Sequence, residues 1–144
     1  MPMEKIENWK YYPRVLQALY LVLVVYVGAV AIVLLVDPKV GLSFSGFPSE
    51  GIPFPASLIA GVAYSQWLAI ALLSVLGLRS PFKYSPVLLL VVTYKTIWIL
   101  ALALPRAISG TLIPYGQTTA IEWVIIVIIY ASLMPWKYIL AKSK

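Results

Sequence analysis

Few side chains in this sequence can do chemistry, and Lys95 stands out among them. It lies in the run VLLLVVTYKTIWILALAL at 87–104, with apolar residues dominating on both sides. An ammonium at the centre of a membrane helix costs about 2.5–3.5 kcal/mol, so such residues usually turn toward a bundle interior, a partner or a pathway. A helix rises about 1.5 Å per residue, which places Lys95 about 12 Å beyond Val87. The same arithmetic places Gln66 about 15 Å into a second apolar run and Tyr26 near the middle of a first. Gln66 and Tyr26 can accept hydrogen bonds from the ammonium but cannot neutralise it. Glu122 can, although it sits only about 6 Å into its own run, and a lysine stem can snorkel part of that gap. Three arrangements fit this spacing: a Lys95–Glu122 charge pair, a lysine snorkelling without a protein partner, and a ligand, ion or proton pathway built on Lys95. A desolvated lysine can also form an imine, but no second nearby carboxylate supports that chemistry. Trp98 follows Lys95 by one helical turn and Tyr94 adjoins it. Such an aromatic wall suits cation–π contact, a flat ligand or plain core packing.

The elements that must position these residues are membrane helices. Of the 144 residues, 62% are hydrophobic and only 11% charged, and the mean hydropathy is +0.93. A soluble domain of this length has more surface than so few charges can cover. Cysteine and histidine are absent. That removes disulfides, thiolate and imidazole metal sites and the usual nucleophile–base pairs. The only acids are Glu4, Glu7, Asp37, Glu50 and Glu122, too few and too scattered for a carboxylate metal site. The net charge of +6 reads as membrane topology and not as a nucleic-acid footprint.

A bilayer core about 30 Å thick needs roughly 20 apolar residues in a helix. Four spans meet or approach that, at 15–36, 56–78, 87–104 and 118–136, within one domain covering 1–144. Asp37-Pro38, Pro53 and Pro55, Ser80-Pro81, Ser85-Pro86, Pro105, Gly110, Pro114, Gly116 and Pro135 punctuate them. Lys5, Lys10, Arg14, Arg79, Lys83, Lys137, Lys142 and Lys144 fall on one side, against Lys39 and Arg106 on the other. The positive-inside rule then makes both termini cytoplasmic. Trp9, Tyr11, Tyr12, Tyr84, Trp136 and Tyr138 are placed at the cytoplasmic interface, and Phe44, Phe47, Phe54, Tyr115 and Trp123 at the opposite one. The first span is too long for a signal-peptide core and is read as an uncleaved helix.

Ser57, Gly61, Ser65 and Ala69 recur every four residues on the second span, a stripe that lets another backbone approach closely. It is expected to pack within the bundle or to form a homo-oligomer face, with Gly28, Ala29 and Ala31 of the first span as one receiver. The outer loops at 37–55 and 106–117 cap the bundle or hold a partner. These features define an all-α, transmembrane, antiparallel four-helix bundle.

The stretch LGLRSPFKYSPVLLLVVTYKTIWILALALP at 76–105, with MPWKYIL at 134–140, resembles a group of small uncharacterised bacterial four-helix integral membrane proteins. The shared elements are Gly77-Leu78-Arg79 followed by Pro81, Tyr94-Lys95 with Trp98, and Pro135-Trp136 with Tyr138. The resemblance covers a little over a quarter of the chain and implies a bacterial inner-membrane location, but no activity. Members of that group often carry an acidic residue deeper in the last helix than Glu122, where this chain is wholly apolar.

The expected function is a non-enzymatic, multi-pass accessory, scaffold or assembly component of a membrane complex, without cofactor. Its partners are the lipid bilayer and either a membrane protein or further copies of itself, with no nucleic acid. The alternative is a binding or transport protein for a small lipophilic or anionic molecule, anchored by Lys95. A membrane enzyme using Lys95, Glu122 and tyrosines as acid–base groups is the third reading.

Overall fold

The computed structural model describes residues 11–37, 40 and 56–141, except for the side chains of 56–60, 115 and 141. Most of the outer loop expected at 37–55, the interfacial residues Trp9, Phe44, Phe47 and Phe54, and Lys5, Lys10, Lys39, Lys142 and Lys144 lie outside the described residues.

The regular elements among the described residues are all helical. Helix α1 is Tyr12–Val36, α2 is Ala56–Arg79, α3 is Ser85–Ile108, α4 is Pro114–Ser132 and the short α5 is Trp136–Ala141. Three described segments, Tyr12–Val36, Gly61–Arg79 and Ser85–Ile108, are long and apolar enough to cross a membrane; the apolar stretch of α4, Gly116–Ser132, is shorter.

Several helix limits differ from expectation, and proline accounts for two of them. Pro105 was expected to close the third helix, yet α3 continues through it to Ile108. A π-helical turn at Ile99–Ala103 comes immediately before it. Proline has no N–H to give and its ring presses on the carbonyl four residues back. A wider turn at that point accommodates both. Pro114 is not loop punctuation: it opens α4 after an extended Ile113. The first helical position needs no intrahelical N–H and favours the fixed φ of proline. Helix α4 therefore runs one turn earlier than 118–136 at both ends. It stops before Met134-Pro135, and the Trp136 Nε1 donates to the Ala131 carbonyl at 2.8 Å across the corner into α5.

Contacts run along the length of α1 and α2, and along α3 and α4, with a lighter contact between α2 and α3. The two pairs share one core near the Ser80–Ser85 connection. It holds Tyr12, Leu16, Leu19, Tyr20 and Leu23 of α1, Ile70 of α2, Val87, Leu88 and Val91 of α3, Tyr130 of α4 and Met134. Close packing and hydrogen bonds hold the two pairs together at this end. Several long-range bonds pin this end. Tyr12 donates to the Leu133 carbonyl at 2.8 Å. Gln17 donates to the Leu78 carbonyl and Tyr20 to the Pro81 carbonyl, each at 2.8 Å. Tyr130 donates back to the Leu19 carbonyl at 3.1 Å. Farther along, α1 and α2 keep a separate cluster of Val30, Leu34 and Tyr64, with Trp67 against it.

The contact face of α2 is not the expected stripe. A Cβ on Gly61 would meet nothing within 4 Å, and Ser65 and Ala69 are exposed. Ser57 lies on α2, but its side chain is outside the described residues. The close approach is made instead at Gly28, where a Cβ would come 3.2 Å from that of Ala71, and at Gly77, where it would strike the Tyr20 ring. Ala71, Ser74 and Gly77 form the inward small face, and Ser74 is buried with its hydroxyl bonded to the Ile70 carbonyl at 2.7 Å. Of the proposed receivers, Gly28 and Ala31 are buried against α2's side of the molecule while Ala29 is exposed.

Candidate functional site

On α3, Leu88, Val91 and Lys95 are buried at the i, i+3, i+7 spacing of one helix face. Leu88 and Val91 belong to the shared core, and Lys95 continues their stripe by one turn. On α4, Thr119 and Tyr130 are buried and Trp123 and Ile126 half-buried, which makes one inward face. That periodicity aims Trp123 at α3.

The Lys95 Nζ sits 3.8 Å above the centroid of the Trp123 ring and 5.2 Å from that of Tyr94. Trp123 is itself held between two aromatics of α3. Tyr94 meets it edge-on at 5.8 Å and 89°. Trp98 packs at 4.6 Å and 55°. Lys95 is 7% exposed. A desolvated ammonium over an indole face gains about 2 kcal/mol or more from the ring quadrupole, and each aromatic pair adds about 0.5–1.5 kcal/mol. The cation–π contact offsets part of the cost of the charge, and the aromatic pairs hold Trp123 in place to make it.

The Lys95 Nζ has no hydrogen bond and no ion pair among the described residues. Glu122 is exposed. The two form no salt bridge, so the expected pair is not made. Depth is not the reason. Because α4 starts at Pro114, Glu122 lies about 12 Å along it and not about 6 Å, level with its neighbour Trp123 and hence with the ammonium. Direction is the reason: successive helical residues are turned by about 100°, so seating Trp123 on Lys95 turns Glu122 outward.

Tyr94 and Trp98 join Lys95 as the spacing suggests, while Tyr26 and Gln66 do not. Tyr26 is 61% exposed on α1, and Gln66 is exposed on α2 without a hydrogen bond among the described residues. Trp123, expected at the outer interface, is the residue that sequence reasoning missed. The signal was present in the 119–123–126–130 periodicity, which marks it as inward-facing. Among the described residues no group of acidic side chains is placed to hold a metal.

The arrangement is an ammonium held against aromatic carbon with no counter-charge in contact. It can attract an anion or orient a polarisable ring. No protein-family model, curated protein or solved structure matches the chain.

Proposed function

We propose that this is a non-enzymatic, multi-pass membrane protein that works as an accessory or assembly component, associating through the outward face of α2. In this reading α1 to α4 cross the bilayer as an antiparallel four-helix bundle, with α4 spanning by means of its flanking residues. The order of contacts supports it: the start of α1 bonds to the end of α2 and to Leu133, just past the end of α4. Arg14, Arg79, Lys83 and Lys137 gather at that end and Arg106 at the other, which supports cytoplasmic termini. The resemblance in the Lys95 and Pro135-Trp136 segments supports a bacterial inner membrane.

The observation that carries the accessory reading is Gln66. A primary amide on the outside of a helix, about 15 Å from the start of α2, faces hydrocarbon without a partner. Glutamine at such a position is commonly satisfied by a neighbouring helix. Gly61, Ser65 and Ala69 beside it leave room for that helix, which is either a second copy or another membrane protein. The absence of cysteine and histidine supports a role without catalysis. The test is assembly size in mild detergent. The parent is expected to run larger than one chain, and Gln66→Leu with Ala69→Ile to reduce it to one chain at unchanged folding stability. A parent that is monomeric and captures no membrane protein contradicts the reading.

A second reading is favoured by Lys95 itself. An ammonium buried against aromatics with no acidic contact supports binding of a lipophilic anion.

A further inference from the structure

We propose that Lys95 is the anchor for the carboxylate of a single-chain lipophilic acid, with Trp123 and Trp98 as the wall of the site. This rests on the second reading above and names its ligand. An ammonium has three N–H donors, and an aromatic ring on one side satisfies it only in part. No oxygen acceptor contacts Lys95 among the described residues. No fully enclosed side-chain nitrogen or oxygen lacks a partner there, so the unbonded Nζ keeps an open face.

Access selects the ligand. A lysine that is only 7% exposed leaves no room for a helix about 10 Å across to seat against it. An acidic side chain carried by a partner helix is thereby disfavoured. Lys95 lies about 15 Å along α3 from Ser85, well below the level at which a phospholipid phosphate is held. A permanently charged sulfate or sulfonate resists entry to that depth, since burying an unpaired ion is costly. A carboxylic acid enters hydrocarbon as the neutral acid, and passing its proton to the neutral amine form of Lys95 gives the carboxylate–ammonium pair directly.

The test uses the full chain in phosphatidylcholine nanodiscs and the quenching of tryptophan fluorescence by bromine. The probes are dibromostearic acid, its methyl ester and a brominated alkyl sulfonate. The acid is expected to quench saturably, and the ester to need about tenfold more for the same effect. Lys95→Gln is expected to weaken the acid by about tenfold while leaving the ester unchanged. The comparison of acid with ester on the parent protein decides the matter even where Lys95→Gln does not fold. Equal quenching by acid and ester overturns the proposal. Saturable quenching by the sulfonate but not the acid overturns the carboxylate and leaves the second reading standing. No saturable quenching by either anion overturns both.

Discussion

At the scale of single residues, the site is a charge stabilised by rings. Trp123 gives Lys95 its closest contact, at 3.8 Å, and Trp98 and Tyr94 fix the angle of that ring. Trp98→Leu should therefore loosen the site from a distance. The expected loss is about 1–3 kcal/mol, from one aromatic pair and from buried volume, measured as unfolding stability in detergent. Trp98→Phe should cost clearly less because a ring remains against Trp123. An equal loss for both substitutions would mean that volume and not the aromatic pair matters. Glu122→Gln should change stability by no more than about 0.5 kcal/mol, as expected for a surface position without an ion-pair contact.

At the scale of elements, packing of α1 on α2 depends on Gly28 and Gly77 and not on Gly61. Gly77→Leu places a side chain where the Tyr20 ring lies. Tyr20 is buried in the shared core and bonded to the Pro81 carbonyl, so it has no easy escape. A loss of about 1–3 kcal/mol or outright misfolding is expected. Gly61→Leu should leave the stability of the single chain intact, since a Cβ there meets open space. The two variants are compared by thermal unfolding of the monomer, and a reversed order would contradict the packing. The helices themselves were legible in the sequence because apolar runs of membrane length have few alternatives. Their ends were less so. Proline stops a helix in one place and starts one in another, and local sequence alone did not separate Pro105 and Pro114 into those that continue or open a helix and those that end one. The misplaced start of α4 then carried over to the site: it raised Glu122 by one turn and sent Trp123 to the interface. Lys95, Tyr94 and Trp98 were legible because they share one helix and need no register between helices. Tyr26 and Gln66 were placed by depth alone, and depth says nothing about which way a side chain turns.

At the scale of the whole molecule, two helix pairs share a core at one end, and Lys95 lies one turn beyond it. Tyr12 and Tyr130 tie the pairs together by hydrogen bonds. Tyr12→Phe and Tyr130→Phe are each expected to cost about 1 kcal/mol, and to raise hydrogen exchange of α4 more than that of α2. A topology of four crossings puts a reporter fused after Lys144 and one inserted at Gly110, in the turn between α3 and α4, on opposite sides of the membrane. Identical signals from the two would contradict four crossings.

The Lys95 charge rests on Trp123 and not on Glu122, although both lie at its level on α4. A pair of double-mutant cycles on unfolding stability tests this directly, one with Lys95→Met and Trp123→Leu, the other with Lys95→Met and Glu122→Gln. The predicted coupling is about 1–2 kcal/mol for Lys95 with Trp123 and within about 0.5 kcal/mol of zero for Lys95 with Glu122. A strong coupling to Glu122 with none to Trp123 would contradict the account.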